Sequence, residues 1–294
     1  MRSGFVSIIG RPNVGKSTLL NSIIGYHIAI TSPVSGTTRN VIQGIYNDID
    51  TQIVFIDTPG IHKPVNKLGK VLNKEAKSLT NDIDLILLLV DAKEGIGTGD
   101  KFIIESLNNK DIPVILVLNK IDKLNKEQLL KVIMDYKDLY DFAEVVPISA
   151  KTSDNVSNLI DIIKKYLTDD IKYFDDNTIT SSSKYFMVSE YVREKLMNYL
   201  TEEIPHSITC QTTLYDDKKD IINIGVDIIV DRDSLKKIVI GKDGALLKKV
   251  GIESRSDIEK LLGKKVYLEL YVKTIDNWRD KEKYFKELGF VDNE

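Results

Sequence analysis

Short apolar runs alternate with amphipathic stretches along the first 168 residues of the chain. Runs of four to six residues rich in Val, Ile and Leu are typical of strands buried on both faces. The stretches between them carry apolar residues at helical spacing. This alternation predicts an α/β fold, in which helices cover both faces of a mostly parallel sheet. The apolar runs are residues 5–9, 53–56, 85–90, 114–118 and 145–148, and the helical stretches are 16–24, 67–79, 99–108, 126–139 and 156–167.

The alternation ends near residue 168, and a second kind of pattern follows. Residues 169–184 are first acidic and then rich in Ser and Thr, which is typical of an exposed linker. From residue 185 the order becomes helix, two strands, short helix, long helix and strand, which indicates a separate α+β domain. We therefore predict a first domain at 1–170, a linker at 171–184 and a second domain at 185–294.

Composition excludes some classes of protein but selects no function. The formal net charge of −3 gives no general argument for a nucleic-acid partner, so any such argument must be local. The one cysteine, Cys210, cannot form an internal disulfide and is expected to be a small buried residue of a strand. The N-terminus lacks the pattern of a secretory signal, and no apolar run approaches the ~20 residues of a membrane span. A cytoplasmic location is therefore expected.

A glycine-rich loop follows the first apolar run. Ligands of parallel sheets bind at the carboxyl ends of the strands, and the sequence GRPNVGKS occupies this place at residues 10–17. It matches G-x-x-x-x-G-K-[ST], whose backbone N–H groups surround phosphate oxygens at a helix N-terminus. We predict that Lys16 reaches the β- and γ-phosphates and that Ser17 ligates Mg²⁺. The predicted nucleotide-binding residues of this loop are Gly10, Asn13, Val14, Gly15, Lys16, Ser17 and Thr18.

Asp57, Thr58, Pro59 and Gly60 directly follow the second apolar run. A carboxylate at Asp57 can bind Mg²⁺ through water, and the N–H of Gly60 can contact the γ-phosphate. Asp, Pro and Gly also form ordinary turns, so the position after a buried strand is what favours a nucleotide site for these four residues.

The residues after the fourth apolar run indicate which base is bound. A carboxylate at Asp122 can accept hydrogen bonds from N1–H and the exocyclic amine of guanine, whereas adenine offers no such donor pair. The alternative for Asn119 and Asp122 is a helix-capping pair. A backbone N–H in the loop after the last run can bind the guanine O6 atom, so GTP and GDP are the predicted ligands. The predicted base-binding residues are Asn119, Lys120, Asp122, Ser149, Ala150 and Lys151.

A stretch without helical spacing lies between the glycine-rich loop and Asp57. Residues 31–39 are rich in small polar side chains, as expected of a mobile switch loop that places a threonine on Mg²⁺. Thr38 is the predicted ligand and Thr37 is the alternative, while a plain surface loop is the other interpretation of the stretch. With Ser17 and Asp57, Thr38 completes the predicted magnesium site.

The sequence GRPNVGKS, together with Thr37-Thr38-Arg39 and Asp57-Thr58-Pro59-Gly60, resembles the translation-factor class of P-loop GTPases and, within it, the Era family. The resemblance covers the whole chain, because VIGKDG at residues 239–244 resembles the GXXG loop of a KH domain. The order of elements around this loop resembles the bacterial type of KH fold. The implied architecture is a P-loop GTPase domain followed by a C-terminal α+β KH domain.

A GXXG loop lets the protein backbone approach single-stranded nucleic acid, and KH domains clamp about four nucleotides in this way. Residues 232–251 carry six basic and two acidic side chains, an excess that suits an RNA partner. A solvated helix face is the alternative explanation of the charge. The predicted RNA-binding residues are Gly241, Lys242, Asp243, Gly244, Lys248 and Lys249.

The resemblance implies more than the residues do alone. It implies a GTPase that binds the 3′ end of 16S ribosomal RNA and assists assembly of the small (30S) ribosomal subunit. It also implies a monomer that can associate peripherally with the inner face of the cell membrane. The residues alone indicate a GTPase with a domain that binds single-stranded RNA.

Position 61 is unusual for a switch GTPase. Many of these enzymes place a glutamine directly after the glycine at the position of Gly60, where it orients the attacking water, but this chain has Ile61. The next residue, His62, is more simply a surface residue than a base. The resemblance implies that K⁺, held partly by Asn13, supplies the missing electrostatic stabilisation. The predicted catalytic residues are Asn13, Lys16, Thr38 and Gly60, and slow intrinsic turnover is expected.

Two other functions fit part of the pattern. A P-loop kinase would transfer the γ-phosphate to a small molecule and would have no use for Asn119 and Asp122. A pure binding module would use GTP to control RNA binding and would depend little on hydrolysis. Release of phosphate to water separates a GTPase from the kinase, and comparison of GTP with a non-hydrolysable analogue separates it from the binding module.

Overall fold

A computed structural model of the chain describes residues 1–34, 36–58, 66–78, 83–108, 111–288 and 290. The chain divides into two compact units. The first unit comprises Met1–Thr31, Thr38–Pro64 and Leu72–Ser181, and the second comprises Ser32–Thr37, Val65–Val71 and Ser182–Glu294.

One sheet forms the centre of the first unit. Its six described strands lie in the order β2-β3-β1-β4-β5-β6. Strand β2 runs antiparallel to β3, and the other neighbouring strands are parallel. The predicted mostly parallel sheet is therefore confirmed. The strands are β1 Arg2–Ile9, β2 Ile42–Asn47, β3 Thr51–Asp57, β4 Leu85–Asp91, β5 Val114–Asn119 and β6 Glu144–Pro147.

Helices cover this sheet because its central strands are apolar on both faces. Every residue of β3, β4 and β5 is buried. On the helix side, Leu129, Val132, Ile133 and Tyr136 recur at helical spacing and pack into the core. The helices of the first unit are α1 Lys16–Ile24, α3 Thr98–Glu105, α4 Lys126–Lys137 and α5 Val156–Ile163, and α2 Lys67–Ser78 has residues in both units.

Strand β2 is the element that the apolar pattern does not predict. Its sequence, IQGIYN, is short and is interrupted by Gly44, and a glycine inside a strand weakens the intrinsic preference for extended structure. A Cβ atom at Gly44 would lie 2.6 Å from Cδ1 of Leu20. The glycine therefore allows the strand to pack closely against α1. Hydrogen bonds to β3 stabilise the extended conformation that the local sequence favours only weakly.

The acidic segment after α5, which belongs to the linker predicted at 171–184, is bound to strands of the first unit. The side chain of Gln52 accepts hydrogen bonds from the backbone N–H groups of Tyr173 and Phe174 at 2.8 and 2.9 Å. Its amide donates to the carbonyl of Phe174 at 2.8 Å. The N–H of Ile45 donates to Ile179 at 3.0 Å. These bonds hold the segment against β2 and β3, so the first unit extends to Ser181.

A three-stranded sheet and flanking helices form the second unit. The strands lie in the order β7-β8-β9, with β7 antiparallel and β9 parallel to β8. This arrangement confirms the predicted C-terminal α+β domain. The elements are α6 Lys184–Tyr199, α7 Ile204–Ser207, β7 Ile208–Asp217, β8 Ile221–Val230, α8 Asp233–Ile240, α9 Ala245–Leu262, β9 Lys265–Thr274 and α10 Lys283–Glu287.

The core of the second unit contains the one tryptophan of the chain. Trp278 is fully buried, its Nε1 donates to the carbonyl of Ser207 at 3.1 Å, and its ring stacks on Phe290 with centroids 5.7 Å apart. Cys210 is 7% exposed on β7, as predicted for a small buried residue of a strand. Within the described ranges, no helix is both long and apolar enough to cross a bilayer.

Candidate nucleotide site and RNA-binding loop

The glycine-rich loop lies between β1 and α1, at the carboxyl edge of the sheet. Gly15 precedes the helix with φ +104°, a backbone conformation that residues with a Cβ atom rarely adopt. A Cβ atom here would lie 2.4 Å from Nδ2 of Asn119. Glycine at this position therefore lets the loop turn into α1 while Asn119, at the end of β5, packs directly against it. The first N–H groups of α1 remain available to bind an anion.

Lys16 is buried at the start of α1. Its Nζ donates to the carbonyl oxygens of Gly10 and Arg11 at 3.0 and 2.9 Å. Burial lowers the pKa of Lys16, and the carboxylate of Asp57 acts in the opposite direction. The ammonium group is thus held inside the loop by two carbonyls of the same loop, at the place where the motif requires it.

Three oxygen-bearing side chains meet beside Lys16. The Ser17 hydroxyl donates to Oδ2 of Asp57 at 2.8 Å and lies 2.9 Å from Oγ1 of Thr38. The other carboxylate oxygen of Asp57, Oδ1, is buried without a hydrogen-bond partner among the described residues. Hard oxygen donors and an orphaned carboxylate oxygen are what Mg²⁺ needs. The residues present therefore fit a magnesium ion.

Burial also affects the charge of Asp57. It raises the pKa of Asp57 to about 6, while Lys16 and the Ser17 hydroxyl act to lower it. A divalent cation would favour the ionised carboxylate by the same Coulomb attraction that Lys16 provides.

The two threonine candidates are arranged differently. Thr38 faces Ser17, whereas the hydroxyl of Thr37 donates to the carbonyl of Val34 at 2.7 Å. Thr58 also uses its hydroxyl locally, because it donates to the carbonyl of Ile8 at 3.2 Å. Of the two threonines, Thr38 is therefore the one with its side chain at the Ser17–Asp57 pair. Four residues singled out from the sequence, Pro59, Gly60, Ile61 and His62, lie outside the described residues.

Asn119, at the end of β5, links two loops. It is 2% exposed, its Nδ2 donates to the carbonyl of Val14 at 2.8 Å, and its Oδ1 accepts from the N–H of Ala150 at 2.9 Å. A helix cap would instead direct this side chain to N–H groups of the following helix. Asn119 therefore ties the glycine-rich loop to the loop after β6, and the capping alternative does not describe it.

Two further polar residues, Lys120 and Asp122, follow Asn119 at the carboxyl edge of the sheet. Lys120, with φ +68°, extends its Nζ to the carbonyl of Asn13 at 2.7 Å and to Oδ2 of Asp91 at 2.5 Å. Oδ1 of Asp122 accepts from the Ser149 hydroxyl at 2.6 Å. The Asp122 carboxylate is exposed, so it can accept hydrogen bonds from a base, while Ser149 orients it. Lys151 is exposed in the same loop.

Asp91 is a residue of this edge that the motifs do not contain. It ends β4, is 3% exposed, and its Oδ1 also accepts from the N–H of Lys93 at 3.0 Å. Its position at the carboxyl end of a buried strand is a signal that the sequence does carry. Arg11, at an open position of the glycine-rich motif, pairs with Asp100 at 2.9 Å, and no sequence spacing connects the two.

In the second unit, a tight loop joins α8 to α9. Gly241 and Gly244 have φ values of +75° and +76°, and Asp243 between them has φ +51°. A Cβ atom at Gly241 would lie 2.8 Å from Cβ of Leu246, whereas one at Gly244 would meet nothing within 4 Å. The open side of the loop is therefore at Gly244, where another backbone can approach.

Basic side chains surround this loop. Lys242, Lys248 and Lys249 are exposed, and Nζ of Lys249 lies 4.3 Å from the ring centroid of Tyr199. Exposed ammonium groups beside a backbone opening are suited to phosphate contacts. The six predicted RNA-binding residues thus lie in one loop and the first two turns of α9.

Comparisons with known proteins match both parts of the chain. Residues 5–120 match the family described as 50S ribosome-binding GTPase, and residues 203–279 match the KH domain family. The whole fold is similar to a crystal structure of Era in complex with MgGDPNP and nucleotides 1506-1542 of 16S ribosomal RNA, with 39% identity, 99% of each chain covered and a TM-score of 0.95. It is equally similar to a variant of Era from Aquifex aeolicus bound to GDP and AlF4⁻, with 39% identity, 99% of this chain and 100% of that chain covered and a TM-score of 0.95.

Proposed function

Because the chain belongs to the Era family of GTPases, we propose that it hydrolyses GTP as a molecular switch and binds the 3′ end of 16S ribosomal RNA. One observation carries the first part of the proposal. Lys16, the Ser17–Asp57 pair and Asn119 meet at one edge of the sheet, although they come from three separate strand ends. The open loop of the second unit, with its lysines, supports the second part.

The phosphate end of the nucleotide would lie over the glycine-rich loop. The N–H groups of the loop and of the first turn of α1 bind phosphate oxygens, and Lys16 adds a positive charge next to the β- and γ-phosphates. Ser17 and Thr38 would hold Mg²⁺ directly, and Asp57 would hold it through water. The bound ion would neutralise charge on the phosphates as the γ-phosphate leaves.

The base would lie at the other end of the same edge. Asp122, oriented by Ser149, accepts from N1–H and the exocyclic amine of guanine. Adenine would leave this carboxylate unpaired, which is the physical basis of discrimination. The aliphatic part of Lys120 is fixed by the bonds of its Nζ to Asn13 and Asp91, so it can pack against the face of the base.

Water attack needs a group other than the side chain of Ile61, which has no hydrogen-bonding atoms. We propose that K⁺, held partly by Asn13 in the glycine-rich loop, stabilises the negative charge that develops during hydrolysis. Asn13 has φ +64°, so its backbone is already in a conformation that turns the loop sharply.

The RNA part of the proposal is tested by Gly244→Asp. This change adds a negative charge on the open side of the loop, so affinity for a single-stranded oligonucleotide with the 16S 3′-end sequence should fall at least tenfold, as for loss of a good charge-assisted contact. Fluorescence anisotropy with labelled RNA measures it. GTP hydrolysis by the free protein should stay near normal, because the predicted nucleotide residues belong to the other unit.

Gly263→Asp is the matched control. Gly263 ends α9 with φ +64°, and a Cβ atom there would meet nothing within 4 Å. The backbone strain of the substitution is therefore similar to that at Gly244. RNA affinity should remain at the wild-type level in this variant. Equal loss in both variants would indicate strain or misfolding, and wild-type affinity in a folded Gly244→Asp protein would mean that the loop is only a turn.

Lys248→Ala separates charge from shape at the same surface. Removal of one phosphate contact should weaken binding of all RNA sequences alike and reduce the salt dependence by about one ion.

Three further predictions concern the cell: a role in assembly of the small ribosomal subunit, peripheral membrane association and a monomeric state. Ribosome profiles of depleted cells, cell fractionation and size-exclusion chromatography test them in turn.

A further inference from the structure

Helix α3 carries none of the nucleotide-binding motifs, yet its first turn contains a fully buried carboxylate. The side chain of Asp100 has no exposed surface, and its two oxygens have different partners. Oδ2 accepts from the N–H of Gly97 at 2.8 Å, which closes the first turn of α3. Oδ1 accepts from Nε of Arg11 at 2.9 Å, 89 positions away in the sequence.

The Arg11 side chain lies in a fitted slot. A Cβ atom at Gly97 would be 2.8 Å from its Nη1, and one at Gly99 would be 2.7 Å from its Cδ. Its Nη2 lies 3.4 Å from the carbonyl of Gly95 and 3.4 Å from the exposed carboxylate of Glu94. Two glycines leave room for the guanidinium group, and an Asp and a carbonyl bind it, so the side chain is held in one position.

The backbone of Arg11 contacts the phosphate-binding lysine. Its carbonyl accepts from Nζ of Lys16 at 2.9 Å, next to the carbonyl of Gly10 at 3.0 Å. The bound side chain therefore anchors the same residue whose carbonyl contacts Lys16. The chain of contacts therefore runs from Asp100 through Arg11 to Lys16.

We propose that Arg11 and Asp100 are positioning residues of the nucleotide site, which hold the glycine-rich loop in the shape that places Lys16 on the phosphates. Neither is proposed to touch the nucleotide. The inference rests on the proposed nucleotide-binding function and adds two residues to it: Arg11, at a position that the glycine-rich motif leaves open, and Asp100, which lies outside every motif. A buried ion pair alone is weak evidence for a stabilising role, because desolvation offsets much of the attraction. Shaping the loop is a role that fits the position of the pair, because the carbonyl of Arg11 binds Lys16.

Asp100→Asn separates this role from the helix-capping role of the same side chain. An asparagine can still accept from the N–H of Gly97 through its one oxygen, but its amide then faces Nε of Arg11, and two donors do not bind each other. GDP release, measured by stopped flow with a fluorescent GDP, should become about tenfold faster, as expected for loss of one charge-assisted hydrogen bond. Arg11→Ala should have the same effect.

Two further readouts distinguish positioning from general destabilisation. The double variant should release GDP no faster than Arg11→Ala alone, because both changes interrupt the same chain of contacts. Preference for GTP over ITP should stay at the wild-type ratio, because the base lies against Asp122. The control Glu105→Gln, an exposed charge change on the same helix, should leave GDP release unchanged.

Wild-type rates of GDP release in folded Asp100→Asn and Arg11→Ala proteins would overturn the inference while leaving the proposed function in place. Additive effects in the double variant, or a changed GTP to ITP ratio, would also overturn it. Failure of the wild-type protein to bind GDP at all would instead contradict the proposed function, so the two failures are distinguishable.

Discussion

The link that Asn119 forms between two loops can be tested without nucleotide. Asn119→Ala would leave the carbonyl of Val14 and the N–H of Ala150 without the side chain that now binds them at 2.8 and 2.9 Å. Both contacts are buried. A buried polar group that loses its partner costs about 1–3 kcal/mol. The first unit should therefore lose about 2–6 kcal/mol of unfolding free energy, the sum over the two groups.

Native-state hydrogen exchange is the suitable assay, because it reports opening of β4 and β5 separately from the second unit. Asn125→Ala is the matched control, since Asn125 caps α4 on the surface by accepting from the N–H of Gln128 at 2.9 Å. Loss of an exposed cap costs about 1 kcal/mol. If Asn119→Ala lowers the exchange free energy of β5 by no more than Asn125→Ala does, the contacts of Asn119 do not hold the two loops together.

Three further predictions address the phosphates, the hydrolysis step and the second unit. Lys16→Ala should weaken GTP binding by about 1.5–3 kcal/mol, or one to two decades in affinity by titration calorimetry, and near-normal binding would contradict the proposed role of the lysine. Hydrolysis should be faster in K⁺ than in Na⁺, and Asn13→Ala should abolish the difference; equal rates in both salts would remove the potassium proposal. Ser254→Ala should stabilise the second unit by about 1 kcal/mol, because Ser254 is fully buried in α9 and its hydroxyl has no hydrogen-bond partner among the described residues. Urea unfolding followed by Trp278 fluorescence measures it, and Ser189→Ala, which removes a 2.8 Å bond to the carbonyl of Phe186, should destabilise the same unit.

Elements with a strong local pattern could be predicted from the sequence. The second strand and the long helix of the C-terminal unit occur in the predicted order, at Ile221–Val230 and Ala245–Leu262. Both carry continuous apolar or helical spacing, and glycines mark both ends of the helix. The side chains that we propose for Mg²⁺ were also indicated by the sequence, because Ser17 lies in the glycine-rich motif, Asp57 at a strand end and Thr38 in a stretch of small polar residues.

Elements that depend on partners distant in the sequence could not be predicted from it. Strand β2 forms because β3 offers an edge to pair with, and nothing in IQGIYN itself indicates this. The acidic segment is ordered by Gln52, whose amide is far from it in the sequence. The composition of a segment indicates how polar it is. It does not indicate whether a buried amide elsewhere in the chain forms hydrogen bonds with the backbone of that segment.

The Arg11–Asp100 pair illustrates the same limit inside the site. Two opposite charges in separate elements are common in any sequence, and only the folded sheet places them 2.9 Å apart. Asp91 is easier to identify from the sequence, because it lies at the carboxyl end of a buried strand of a parallel sheet.

In the proposed function, a guanine-nucleotide switch and a ribosomal RNA-binding loop operate in one chain. Crosslinking the protein to RNA in cells and sequencing the bound fragments tests it most directly, with Gly244→Asp as the comparison. Fragments from the 3′ end of 16S ribosomal RNA should be enriched with the wild-type protein and lost with Gly244→Asp. Absence of 16S fragments with the wild-type protein, or equal enrichment with a folded Gly244→Asp variant, would contradict it.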